Sequence, residues 1–158
     1  MGVRGEGLGL RGQFTLVARD ESGRVTAMRD IANHITDAGE AEVAKLLVDY
    51  GSPVAFNYIA LGLDSGTTYD TTTQLVSECT LSGAARDSDE STSTSTNVAS
   101  VVCTFTFSED DIALKEIGLL NAASDGDLLA RQVFSVITVG DGDSLEATWN
   151  ITCAGSDA

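Results

Sequence analysis

The run Leu145-Glu146-Ala147-Thr148-Trp149-Asn150-Ile151-Thr152-Cys153 alternates between apolar and polar side chains without a break. A period of two marks a strand with one buried face, because successive Cβ atoms of an extended chain point to opposite sides. Leu145, Ala147, Trp149, Ile151 and Cys153 share one face; Glu146, Thr148, Asn150 and Thr152 share the other. A slip of one residue would put Trp149 in water, so the pattern itself fixes the register. Residues 98–107 read the same way, with Val101, Cys103, Phe105 and Phe107 on one face.

Working outward, further β-rich runs fall at 14–19 and 24–29, separated by Asp20-Glu21-Ser22-Gly23. Gly23 suits the positive φ of a turn, so 13–31 reads as a hairpin. Strands are also expected at 56–62, 79–86, 112–120 (with Gly118 at a bulge) and 128–137, with turns at 64–66, 121–127 and 140–143. One helix is predicted over about 36–50. Thr36 is a good N-cap and Asp37 sits at the positive end of the dipole. Val43, Leu46, Leu47 and Tyr50 form the apolar face, and Ala38, Ala41 and Ala44 thin the helix for close packing on a sheet. Gly51 and Pro53 end it. Residues 71–78 read as a short helical turn capped by Thr. The polar, low-complexity run from Asp87 to Asn97 reads as an exposed hairpin tip. The sum is about eight strands and one helix, a mainly β chain folded as an antiparallel β-sandwich or jelly roll. The expected organisation is an extended N-terminal arm at 1–12, one sandwich domain at 13–153 and a frayed tail at 154–158. Five glycines in 1–12 leave two readings of that segment open, a disordered tail or an arm ordered against a neighbouring subunit.

The chain has 158 residues, 9 Lys+Arg against 24 Asp+Glu, a net charge of −15 and 42% hydrophobic residues. That apolar fraction suits a globular domain. The charge argues against direct nucleic-acid binding, which needs Lys and Arg to displace phosphate counterions, and against anionic lipid. No apolar run approaches the ~20 residues that cross a bilayer, and the N-terminus lacks the apolar stretch of a signal peptide. The expectation is a soluble acidic domain made inside the cell and not obviously exported. Arg outnumbers Lys, with only Lys45 and Lys115 present. This balance is similar to that of proteins from salt-rich cytoplasms, where carboxylates hold water and cations while long Lys stems expose carbon. An ordinary acidic protein kept soluble by its charge is the competing reading.

Catalytic residues are not expected. There is no GxSxG or P-loop run, and His34 is the single histidine. The pair Asp110–Asp111 and the pair Asp141–Asp143 are unremarkable in a chain so rich in carboxylates. Asp141 and Asp143, and Asp87 and Asp89, are the candidates for a Mg²⁺ or Ca²⁺ site, since hard oxygens crowd there in turns. Neither matches an EF-hand loop, and Asp side chains in turns commonly bond the local backbone. No other cofactor is expected. Cys79, Cys103 and Cys153 are too widely spaced for a CxxC metal site; they read as buried thiols, with a Cys79–Cys103 disulfide open if the two face each other across a hairpin. Tyr58, Tyr69 and Trp149 could form a stacking platform for a glycan, although the alternation around Trp149 favours core packing.

Five segments, in order, resemble a diffuse group of small virion proteins of tailed phages and archaeal tailed viruses. They are 33–39 (Asn-His-Ile-Thr-Asp-Ala-Gly), 56–68 (Phe-Asn-Tyr-Ile-Ala-Leu-Gly-Leu-Asp-Ser-Gly-Thr-Thr), 116–122 (Glu-Ile-Gly-Leu-Leu-Asn-Ala), 129–134 (Leu-Ala-Arg-Gln-Val-Phe) and 143–149 (Asp-Ser-Leu-Glu-Ala-Thr-Trp). The resemblance covers roughly 13–153. It implies a non-enzymatic β-sandwich subunit of a virion, a head decoration or vertex turret protein, that forms a symmetric homo-oligomer. A tail, baseplate or fibre component, or a receptor- or glycan-binding module, is the alternative. The implied partners are copies of itself, other virion proteins such as major capsid or tail proteins, and a host surface. The implied location is the virion, after synthesis in the host cytoplasm. The heavier acidity points to a haloarchaeal virus.

Overall fold

The computed structural model describes residues 8–88 and 91–155. Residues 1–7 of the expected arm and 156–158 of the expected tail lie outside the described residues. The elements are β1 (Leu8–Arg19), β2 (Val25–Ala32), β3 (His34–Ile35), α1 (Asp37–Val48), β4 (Tyr58–Gly62), β5 (Asp87–Ser88), β6 (Ser91–Ser95), β7 (Val98–Thr106), β8 (Ile112–Leu120), β9 (Leu128–Val139) and β10 (Ser144–Gly155). They form two antiparallel five-stranded sheets, β2-β1-β10-β7-β6 and β3-β9-β8-β4-β5. The mainly β fold with one helix is the one expected.

β10 is the middle strand of the first sheet, with one face buried as its alternation demands. It pairs with β1 from Leu8↔Gly155 to Arg19↔Ser144 and with β7 from Ser144↔Thr106 to Thr152↔Val98. Leu145, Ala147, Trp149 and Ile151 are buried with Phe14, Leu16, Val101, Cys103 and Phe105 from the flanking strands. The second sheet completes the core with Ile59, Leu61, Leu114, Ile117, Phe134 and Ile137. Trp149 is fully buried, its ring 5.3 Å from Phe14, and its Nε1–H donates to Asn33 Oδ1 at 2.9 Å.

Asn33 stands at a corner. β2 belongs to the first sheet and β3, one residue later, to the second. The chain changes sheets again between β5 and β6. Both long sides of the sandwich are therefore crossed by chain. On the β2 side Arg29 bridges the remaining gap, donating from Nε to Ser135 O and from Nη2 to Val136 O of β9, each at 3.1 Å. The β1–β2 turn is held by Asp20, which accepts from Ser22 Oγ at 2.6 Å and from the Arg24 amide at 3.0 Å. Those two bonds hold its carboxyl below the usual carboxylate range.

Several expectations are corrected. Residues 8–12 are not an arm; they are the start of β1, and residues 154 and 155 end β10 opposite them. Residues 79–86 are not a strand. Gly83 has φ +87° and the Ala84 amide bonds back to Leu81 O at 2.8 Å, so this stretch turns on itself. Residues 71–78 form no helical turn. The Ser/Thr run is not a loose tip: Ser91–Ser95 is β6, paired with β7 from Ser91↔Val102 to Ser95↔Val98, and the turn is Thr96-Asn97. β-branched Thr at every second position favours extended backbone whatever the polarity of the run. The β8–β9 register shifts not at Gly118 but between Leu114 and Glu116 and between Leu119 and Leu120, with the extra residues on β9.

The helix has the predicted cap but a different buried face. Thr36 Oγ1 accepts from the Gly39 amide at 3.0 Å, and the Thr36 amide donates to Leu129 O at 2.9 Å. This ties the first turn to β9. Gly39 lies so close that a Cβ there would sit 2.5 Å from Leu129 Cα. The face toward the sheet is thus 39, 42, 43 and 46, one step earlier than the apolar stripe. Glu42 is buried on it and pairs with Lys45, whose own proton affinity is raised by that hydrogen bond. Leu47 and Tyr50 are each 71% exposed and Leu46 40%. Ala41 and Ala44 face solvent. The helix ends at Asp49, in the left-handed conformation with φ 50°.

Replacing Trp149 by Ala removes the largest buried side chain and leaves Asn33 Oδ1 unpaired. Urea denaturation of Trp149→Ala should show a loss of about 3–5 kcal/mol. A loss below about 1 kcal/mol would mean that this ring does not organise the core.

Candidate functional site

The outer face of the second sheet holds two charges that the sandwich has to bury. Glu116 on β8 and Arg131 on β9 are both 0% exposed. Arg131 Nε and Nη2 lie 2.7 and 2.6 Å from Glu116 Oε2. Arg131 Nη1 donates to Gly66 O at 3.0 Å and Thr68 Oγ1 at 2.8 Å. Glu116 accepts from the amides of Val76 and Ser77 at 3.2 and 2.8 Å. The pair therefore pins the long β4–β5 connection at both ends of its passage over the sheet. A Cβ on Gly62 would come within 2.4 Å of Glu116 Cγ, so a glycine is needed where the carboxylate is seated. Leu75 of the same connection packs with Ala60, Leu120 and Leu128 to form a second small core. Arg131 Nη2, buried like the rest of the side chain, is met only by its ion-pair contact with Glu116 Oε2.

The carboxylates singled out in the sequence do not converge. Asp143 Oδ2 accepts from the Gly140 amide at 2.8 Å, and Asp110 Oδ1 accepts from the Asp141 amide at 3.0 Å. They shape the β9–β10 turn. Asp87 is on β5 opposite Ile59, and Asp89 lies outside the described residues. Among the described residues no three His, Cys, Asp or Glu side chains gather as a metal site. His34 on β3 contacts Asp70, tying the β4–β5 connection to the start of α1, where the Asp37 amide also donates to Asp70 O. The aromatic trio shares no surface: Trp149 is in the core, Tyr58 packs on the second core and Tyr69 is exposed on a loop. No disulfide joins Cys79, Cys103 and Cys153; the first two are buried, and Cys153 keeps the face of Ile151 as expected but is exposed where that face lines the groove described below.

What the sequence did not reveal is an opening between the sheets. A groove of about 510 Å³ is lined by Leu10, Val43, Leu46, Leu119 and Ile151 together with residues 55–57 and, from β6, residues 92–94. Its size falls in the usual range of binding clefts. Beside it Leu47, Val48, Tyr50 and Val54 are exposed. The one available signal was the mismatch between the apolar stripe of α1 and its docked face, which only the fold discloses.

Breaking the Glu116–Arg131 pair from one side leaves a bare buried charge. Arg131→Met should cost about 3–5 kcal/mol in urea melts, and the double variant Glu116→Met with Arg131→Met should recover most of that. Additive losses would show that the two groups act separately. Comparison with known proteins finds no matching family model, curated protein or solved structure.

Proposed function

We propose that this chain is a non-enzymatic structural subunit of a tailed-virus particle, a head decoration or vertex turret protein that assembles as a symmetric homo-oligomer. The segments quoted from 33 to 149 resemble such virion proteins. The observation that carries the assembly role is the exposed apolar surface of Leu46, Leu47, Val48, Tyr50 and Val54 on a chain of net charge −15. Contiguous exposed apolar groups on an otherwise charged surface are the mark of a contact site. The two-sheet body supplies a rigid block for stacking against neighbours, and its long strands leave little that must order on contact.

The test is the composition of purified particles. Expressed in a host carrying a tailed virus of salt-rich waters, the tagged chain should co-sediment with particles and appear by electron cryomicroscopy as symmetric copies on the head. Density on the tail would move the subunit to the tail or baseplate. Failure to join any particle would overturn the reading.

Salt adaptation has its own test. Arg29, Arg86 and Arg131 are engaged in internal bonds: Arg86 grips both carboxylate oxygens of Glu78, at 2.9 and 2.6 Å. Few cations then remain on the surface to offset the carboxylates. Repulsion between them is screened over about 10 Å at 0.1 M salt and about 3 Å at 1 M. The melting temperature should rise steadily from 0.1 to 3 M KCl; a flat profile by circular dichroism would favour an ordinary acidic protein.

A further inference from the structure

The charges of this chain are unevenly placed. Residues 91–108, between Glu90 and Glu109, carry none. Residues 50–63, between Asp49 and Asp64, carry none either. A third stretch, 147–155, follows Glu146 and is also neutral. The fold brings these three stretches together. Residues of β6 and the start of β7, residues 55–57, and Ile151 and Cys153 all line the groove. No residue lining the groove is charged.

The same place holds an unguarded strand edge. Among the described residues β6 pairs only with β7, and its sequence Ser-Thr-Ser-Thr-Ser has no Lys, Pro or bulge. Native sheets protect their edges with such features, because unpaired N–H and C=O groups recruit other strands. The opposite edge, β2, is guarded: it carries Arg29 and Asp30, and Arg29 caps the carbonyls of the neighbouring β9. Only one of the two edges of this sheet is left bare.

We propose that the β6 edge and the groove beside it are a self-association surface whose occupant is a second copy of this chain. β6 of one copy runs antiparallel to β6 of the other across a two-fold axis, extending the first sheet through both protomers. Two chains of net charge −15 repel, and they meet at least cost through the face where neither carries charge. Strand pairing sets direction and register. Two five-residue edges alone bury too little for a stable interface, which takes roughly 1,200–2,000 Å². The half-buried Phe56 and the exposed Leu46 that line the groove, with Leu47, Tyr50 and Val54 exposed in the neighbouring sequence, supply the rest when the partner covers them. The proposal deepens the homo-oligomer reading above and rests on it for self-association.

Sedimentation equilibrium of the full chain at 3 M KCl tests it, with three variants. Wild type should run as a dimer or a multiple of it. Thr94→Lys guards the bare edge and should weaken association at least tenfold. Leu47→Glu, on the exposed surface of α1 where folding is little affected, should do the same. Val25→Lys, on the guarded β2 edge, should leave association unchanged. Hydrogen exchange on wild type adds a readout free of mutation: β6 amides should gain protection as protein concentration rises. A wild-type oligomer indifferent to Thr94→Lys and Leu47→Glu, with β6 exchange independent of concentration, overturns this interface and leaves the homo-oligomer reading standing on another face. A monomer at every concentration and salt overturns both.

Discussion

Glu116 and Arg131 face each other on neighbouring strands with no access to water, and much of the architecture follows from the need to satisfy them. Taking two such ions out of water costs several kcal/mol each, which their mutual attraction repays only when every other donor and acceptor is met. Here the missing partners come from the β4–β5 connection: Gly66 and Thr68 for the guanidinium, Val76 and Ser77 for the carboxylate. The ion pair is therefore less a source of stability than a locating device. It obliges a long irregular segment to lie across the second sheet in one arrangement, and Leu75 then closes a small core beneath it. His34 and Asp70 fasten the same segment to the start of α1.

Covering one sheet determines what the other end of the molecule can offer. The β4–β5 connection covers the part of the second sheet around Glu116 and Arg131, while Ser135, Val136 and Thr138 of β9 stay exposed. The β2–β3 corner, sealed by Asn33 and Arg29, offers no edge. What remains open is the end of the sandwich where α1 stands in for continued strand pairing. The helix is tied down by its first turn through Thr36 and Gly39, so its later residues run beyond the sheet and leave Leu47 and Tyr50 uncovered. The groove and the exposed apolar surface thus share one cause, the fixed docking point at the helix N-terminus.

The parts of this structure legible in the sequence are those where one face is buried and the period is short. Residues 145–153 announced a strand and its register because burying Trp149 tolerates no alternative; its central place in the sheet was not legible. The cap at Thr36 was legible because it is local chemistry. The helix face was not, because the docked stripe includes Gly39 and Glu42, one without a side chain and one charged; the apolar stripe at 43, 46, 47 and 50 outweighs them in any count of hydrophobicity. Residues 79–86 look extended from composition, but contacts from Thr106 and Phe107 around Gly83 turn them, and those are distant in sequence. The Ser/Thr run reads as loop when judged by polarity and as strand when judged by branching at Cβ; pairing with β7 decided between them. A lone Glu within the apolar run 112–120 and a lone Arg within 128–137 were on view throughout, and their opposite signs on successive strands are the signal that was available.

Charge distribution connects the fold to its setting. Carboxylates spread over most of the surface resist both folding and association in dilute salt, and the same screening relieves both. A chain under that constraint gains little from ion pairs between subunits, since most surface charges have the same sign and Arg29, Arg86 and Arg131 are committed internally. Contacts between copies then have to be made by neutral groups: backbone amides at a strand edge and apolar side chains, whose attraction does not depend on charge. The clustering of three uncharged stretches around a single groove is the arrangement such a chain requires if its copies are to approach, and the edge left without a guarding Lys lines that same groove together with Leu46.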